Sequence, residues 1–195
     1  MKISKEEVLK EEKYLKEVNS VIKSQISEMG QELYTNEERI NDFKKYLWNN
    51  KSGMDKEEIK SIMTDNDLEV YLYENKSLYF EKLYRIQNSP YFASIVFKED
   101  NMQEDEQNIY IGITHLKTKE KYYIHDWRAP ICSLFYDFEV GEASFYAPSG
   151  YINGELLRKR QYKISDGRLI HVFDNSINMM MTYFKRFLQH HQMIR

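Results

Sequence analysis

The chain has 195 residues, 42% of them hydrophobic and 30% charged, with a formal net charge of −3 at pH 7. That suffices for one compact domain or a small domain with an extension, and the balance is that of a folded soluble protein. The slight negative charge excludes a general attraction to nucleic acid or to anionic membranes. Met1 leads into a charged helical pattern, so no signal peptide is expected, and no run approaches the roughly 18 apolar residues of a membrane span. A single cysteine, Cys132, excludes an internal disulfide and fits a reducing cytoplasm, the expected location. It sits in an apolar run beside Ile131, where a buried structural thiol is the better reading than a reactive one.

Residues 1–88 contain only Gly30 and Gly53 and no proline, and are rich in Glu, Lys and Leu, a helical composition. Val8, Leu15, Val18, Ile22, Ile26, Met29, Leu33, Ile40, Phe43 and Leu47 step by three, four or seven, which places them in one helical stripe. The stripe is narrow with charged flanks, as in a coiled-coil seam. It breaks at Asn49 to Gly53, a turn signal. Asp55 then offers an N-cap with Glu58 completing a capping-box pair. A second stripe runs through Ile59, Ile62, Met63, Tyr73, Phe80, Leu83 and Tyr84, and its weakly periodic middle, Asp65 to Glu69, is predicted to fray. It stops ahead of Asn88-Ser89-Pro90. Two such helices joined by a short turn predict an antiparallel hairpin spanning roughly 50 to 65 Å, standing out from a globular body.

Beyond Pro90 the period changes to two. Tyr91 to Phe97, Asn108 to His115, Lys121 to Asp126, Ile131 to Tyr136, Ala143 to Ala147, Leu156 to Ile164 and Arg168 to Phe173 all predict strands. Asp166-Gly167 is a hairpin signal, and Val140 to Glu142 and Ser149-Gly150 are further turns. The spacings are too short for helical crossovers, so the sheet is predicted to be mainly antiparallel. Ile177 to Arg195 predicts a last helix. The expected fold class is α+β: a long antiparallel helical hairpin (coiled coil) over 1–88 with its tip near 49–55, a small β domain over 89–176, and a C-terminal helix over 177–195.

Between Asp55 and Glu69 six acids (Asp55, Glu57, Glu58, Asp65, Asp67 and Glu69) face only Lys56 and Lys60. Such a cluster can approach a hard cation through carboxylate oxygens. It also suits the positive end of a helix dipole, and on the residues alone that solvated helix start is favoured. Arg158, Lys159, Arg160 and Lys163 form the basic cluster. Strand alternation splits them between two faces, so an exposed strand with inter-strand pairing is favoured over a phosphate patch. His125, Asp126 and Ser133 lie too close along one strand and turn to supply an independent nucleophile and base. A structural reading is favoured there: Trp127 packs, Arg128 pairs with a carboxylate, Pro130 ends a turn. His190-His191 is too isolated to argue a metal site. No glycine is followed by lysine, so the phosphate loop G-x-x-x-x-G-K-[ST] is missing and no nucleotide binding is expected.

Several phrases stand together in order: Ser89-Pro90-Tyr91-Phe92-Ala93-Ser94-Ile95-Val96-Phe97, Ile109 to Gly112, Asp126-Trp127-Arg128-Ala129-Pro130, Gly141-Glu142-Ala143, Pro148-Ser149-Gly150, Gly154-Glu155-Leu156-Leu157 and Lys159-Arg160-Gln161. In order and spacing, from about residue 89 to 175, they resemble the N-terminal region of HelD-type proteins, RNA-polymerase-associated relatives of UvrD/Rep helicases. The hairpin before residue 89 is similar in architecture and position. In that family the tail helix leads toward a P-loop ATPase domain. Here Met179 to Met181 replace a more polar stretch and the sequence ends at Arg195, as a fragment, a truncated gene product or a free-standing protein would.

The resemblance implies a polymerase-docking module, whose hairpin enters the secondary channel of bacterial core RNA polymerase, as Gre-factor hairpins do, to aid release or recycling of polymerase. On that reading Asp55, Glu57, Glu58, Asp65 and Asp67 form the polymerase-binding tip, and adding the resemblance brings the two readings of the tip acids level. Asp126, Trp127, Arg128, Ala129 and Pro130 are a family motif with a structural role. ATP and Mg²⁺ belong to the motor of the full-length relative, and no cofactor is expected in this chain. Neither membrane nor direct nucleic-acid binding is expected. Two alternatives stand beside it: a free-standing Gre-like channel factor, and a coiled-coil scaffold whose β domain binds another protein.

Overall fold

Ser4 opens the first helix through a reciprocal capping box. Its hydroxyl accepts the Glu7 N–H at 3.2 Å, while the Glu7 carboxylate accepts the Ser4 N–H at 3.2 Å and its hydroxyl at 2.9 Å. Helix α1, Lys5–Asn50, and helix α2, Lys56–Ile86, follow in this computed structural model, which describes residues 3–50, 53–100 and 106–174, Glu58 by its backbone only. The predicted C-terminal helix at 177–195 lies outside the described residues. No helix among them is long and apolar enough to cross a membrane.

The chain divides into two units, residues 1–18 with 88–195, and residues 19–87. Within the second unit, Ile22, Leu33 and Ile40 of α1 are buried and Met29, Phe43 and Leu47 half-buried. On α2 Ile59, Ile62, Asn66, Val70, Tyr73, Ser77, Phe80, Leu83 and Ile86 are half-buried or buried in an unbroken succession of steps of three and four, with Tyr79 half-buried beside them. The fraying predicted at Asp65 to Glu69 does not occur. Asn66 and Val70 continue the stripe where polarity hid it, and Glu69 is held by Arg39 at 3.0 Å. Met63 and Tyr84, assigned to the stripe, are instead 53% and 54% exposed, because each falls one position off the succession. Side-chain contacts that link the helices include Arg39 to Glu69, Lys76 to Glu32 at 2.7 Å, and the Tyr79 hydroxyl to Gln25 at 3.3 Å.

In the first unit, strands β1 (Ala93–Glu99), β2 (Gln107–Gly112), β3 (Leu116–Lys117), β4 (Tyr122–Asp126), β5 (Gly141–Ala147), β6 (Gly150–Ser165) and β7 (Arg168–Asp174) form one sheet. Its order is β3-β4-β2-β1-β6-β5, with β7 on β6. All pairings are antiparallel except β2 with β4, because the chain crosses to β3 before returning between β3 and β2. The 2-residue β3 was too short to leave a period in the sequence. Asp166 and Gly167 turn β6 into β7 with φ of 51° and 68°, the left-handed pair that a tight hairpin needs.

The strand predicted over Ile131 to Tyr136 is a correction. Pro130–Cys132 forms a 3₁₀ turn and Ser133–Asp137 a short helix, α3. Pro130 presets the first helical φ, and Ile131, Leu134 and Phe135 stand at i, i+3 and i+4, a spacing that an apolar stretch broken only by Ser133 disguises. This segment covers one face of the sheet, where Ile95, Phe97, Ile111, Cys132, Leu134, Phe135 and Leu156 pack in one core. The opposite face carries Ser94, Tyr110, Arg160 and Tyr162, and residues 7–18 of α1 bond to it.

Candidate functional site

The turn between the helices is fixed by short-range bonds. The Gly53 N–H donates to the Asn50 carbonyl at 3.0 Å, and the Asp55 carboxylate accepts the Glu57 N–H at 2.9 Å, capping α2. The partner expected for that cap, the Glu58 side chain, lies outside the described residues. Asp55, Glu57, Asp65 and Asp67 are exposed. The structure does not gather them: ten helical residues separate Asp55 from Asp65, a rise of about 15 Å. Glu57 and Asp65 border one shallow depression with Lys60 between them. Among the described residues no three His, Cys, Asp or Glu side chains are disposed to hold a metal ion. Sequence reasoning missed the apolar groups beside these acids. Tyr46, Trp48 and Met63 are 52%, 74% and 53% exposed. The signal was available, since Tyr46 and Trp48 flank Leu47 and cannot share its stripe.

The Asp126-Trp127-Arg128-Ala129-Pro130 segment is a tight turn at the end of β4. The Ala129 N–H donates to the Asp126 carbonyl at 2.8 Å, and the Trp127 N–H donates to Gly112 at 2.9 Å. Arg128 grips the Asp126 carboxylate with Nε at 2.8 Å and Nη2 at 2.6 Å, and its N–H adds a third bond at 3.0 Å. Burial pushes the Asp126 carboxyl up, but those bonds and the Arg128 charge outweigh it and hold the group below its usual range. Trp127 and Ala129 pack against the core, and Pro130 starts the 3₁₀ turn where a turn end was predicted. Burial pushes the Cys132 thiol up to about 12. His125 stacks on Tyr122 at 4.8 Å, burial lowers its pKa, and the carboxylate beside it is committed to Arg128.

Arg160 overturns the exposed-strand reading of the basic cluster. It is 2% exposed and meets three carboxylates. Nη2 donates to Glu7, Nη1 to Glu11 at 3.1 Å, and Nε to Asp174 at 3.3 Å. Glu11, itself 4% exposed, also accepts the Tyr110 hydroxyl at 2.8 Å. Tyr14 stacks on Tyr110 with centroids 3.9 Å apart and donates to the Tyr123 carbonyl at 2.6 Å. Lys159 points to the other face, donating to the Phe138 carbonyl at 2.6 Å and lying over the Phe135 ring. Arg160 and Lys159 are thus spent inside the fold on opposite faces while Lys163 is exposed, which leaves the cluster no common phosphate surface.

The family model described as DNA helicase IV HelD, N-terminal domain, matches residues 8–186. Comparison with curated proteins finds no match.

Proposed function

The chain belongs to the family of the N-terminal domain of DNA helicase IV HelD, and from that premise we propose that it is the polymerase-docking module of a HelD-like helicase. On this reading α1 and α2 are an antiparallel helical hairpin that enters the secondary channel of bacterial core RNA polymerase and aids its release or recycling. The observation that carries the hairpin is the run of cross-helix contacts: from residue 25 through 32 to 39 on one helix, the partners fall from 79 through 76 to 69 on the other. The end near residues 46–57 then offers Tyr46 and Trp48 as apolar anchors and Asp55 and Glu57 as hard oxygen ligands toward the polymerase interior. No catalytic step is assigned to this chain. ATP turnover is the work of a helicase motor.

The test is gel filtration of the chain with bacterial core polymerase, with and without a Gre-type channel factor in excess. The reading expects co-migration that the channel factor displaces. Absence of co-migration defeats docking, and co-migration that survives the competitor defeats the channel. Replacing Asp55 and Glu57 by Asn and Gln should preserve binding, since an exposed cap is worth only about 0.5–2 kcal/mol, while altering any effect on nucleotide addition.

A further inference from the structure

The partners of Arg160 come from the two margins of the sheet unit. Glu7 and Glu11 lie in the first two turns of α1, and Asp174 is the last residue of β7. One guanidinium therefore joins the start of the long helix to the end of the last strand, through residues 153, 149 and 14 positions away in sequence. The three carboxylates are not equivalent. Glu11 is 4% exposed and shared with Tyr110, so it has no water to turn to. Asp174 is 21% exposed and makes the longest contacts, 3.3 and 3.4 Å. With three carboxylates on one cation, the loss of Asp174 leaves Arg160 still paired twice, whereas the loss of Arg160 strands Glu11.

We propose that Arg160 is a latch that couples the start of α1 to the end of β7, with Asp174 as the partner that releases. When Asp174 lets go, the guanidinium loses the bond that orients it toward Glu7 and Glu11, and β7 loses its only charged tie to the helix among the described residues. When it engages, it draws Nε and Nη2 toward β7 and holds the face of α1 that carries Glu7 and Glu11 against the sheet. This inference is independent of what the helices dock on.

Hydrogen exchange of the whole chain, followed by mass spectrometry, tests the coupling in both directions, because a coupling free energy is reciprocal. Asp174→Asn should speed exchange in residues 5–18 about tenfold, the size expected for losing one charge-assisted bond. Glu7→Gln should likewise speed exchange in residues 168–174. Ile170→Gly, which weakens β7 at a residue 54% exposed and outside the cluster, should speed β7 and leave 5–18 unchanged. If Asp174→Asn behaves as Ile170→Gly does, or if the Glu7 effect stops within α1, the latch is overturned.

Discussion

Replacing Arg160 with Met removes the charge but keeps most of the volume, and the structure says where the cost falls. Glu7 and Asp174 are 38% and 21% exposed and can turn toward water. Glu11, 4% exposed, cannot, and keeps only the Tyr110 hydroxyl. Stranding one buried carboxylate costs about 3–5 kcal/mol. Glu11→Gln then separates this account from simple loss of packing. In the parent chain it removes a charge partner of Arg160 and should cost about 1–2 kcal/mol. In the Arg160→Met background it removes the stranded charge and should return about 2 kcal/mol. Urea denaturation read by the near-ultraviolet signal of Tyr14, Tyr91, Tyr110 and Tyr162, whose rings lie within 6.1 Å of one another in successive pairs, reports on this cluster. A cost of Arg160→Met below about 1 kcal/mol refutes the reasoning. So does a Glu11→Gln change of the same sign in both backgrounds.

Three further outcomes follow from particular atoms. A Cβ at Gly154 would stand 2.2 Å from the Lys98 carbonyl oxygen and 2.6 Å from the Phe97 ring, so Gly154→Ala must part β1 from β6, at about 3 kcal/mol or more. Gly150→Ala meets open space at a φ of +117° and pays only backbone strain of about 1–2 kcal/mol, so calorimetry should rank the two melting temperatures in that order. The Arg160 bond first, and Ser4 next, hold the Glu7 carboxyl down to about 2 from 4.5. Its stabilisation is therefore complete above 4.5 and lost as pH falls toward about 2, and Glu7→Gln should flatten that part of the acid-denaturation curve. The buried Cys132 thiol, raised to about 12, should resist a thiol-specific disulfide reagent at pH 8 in the native chain and react at once in urea, and equal rates would contradict its burial.

What the sequence disclosed depended on how local the signal was. Every apolar position assigned to the α1 stripe is buried or half-buried, because a 46-residue helix repeats its message many times. On α2 the message is interrupted by Asn66 and Ser77, polar residues standing on the stripe, so apolarity alone pointed to Met63 and Tyr84. The segment 131–136 failed because five apolar residues broken only by Ser133 support either period, and only Pro130 before them argued for a helical start. Arg160 was illegible for a different reason. A buried charge is defined by its partners, and Glu7 and Glu11 lie 153 and 149 residues away. The one local hint was Glu11, which falls on the α1 stripe between Val8 and Leu15. The turn acids were legible as an exposed set, but Tyr46 and Trp48 beside them were passed over.

The central claim is that the end of the helical pair enters the polymerase channel, and photo-crosslinking from that end tests it most directly. A photoreactive phenylalanine replacing Tyr46, 52% exposed, keeps the aromatic ring and adds a reactive group beside the turn. Bound to bacterial core polymerase, it should crosslink to residues lining the secondary channel, and a Gre-type factor in excess should abolish the product. A control at Tyr151, 76% exposed on β6, should not reach those residues. Crosslinks from position 46 to the outer surface of the polymerase, or channel crosslinks from position 151 in their place, would contradict the account.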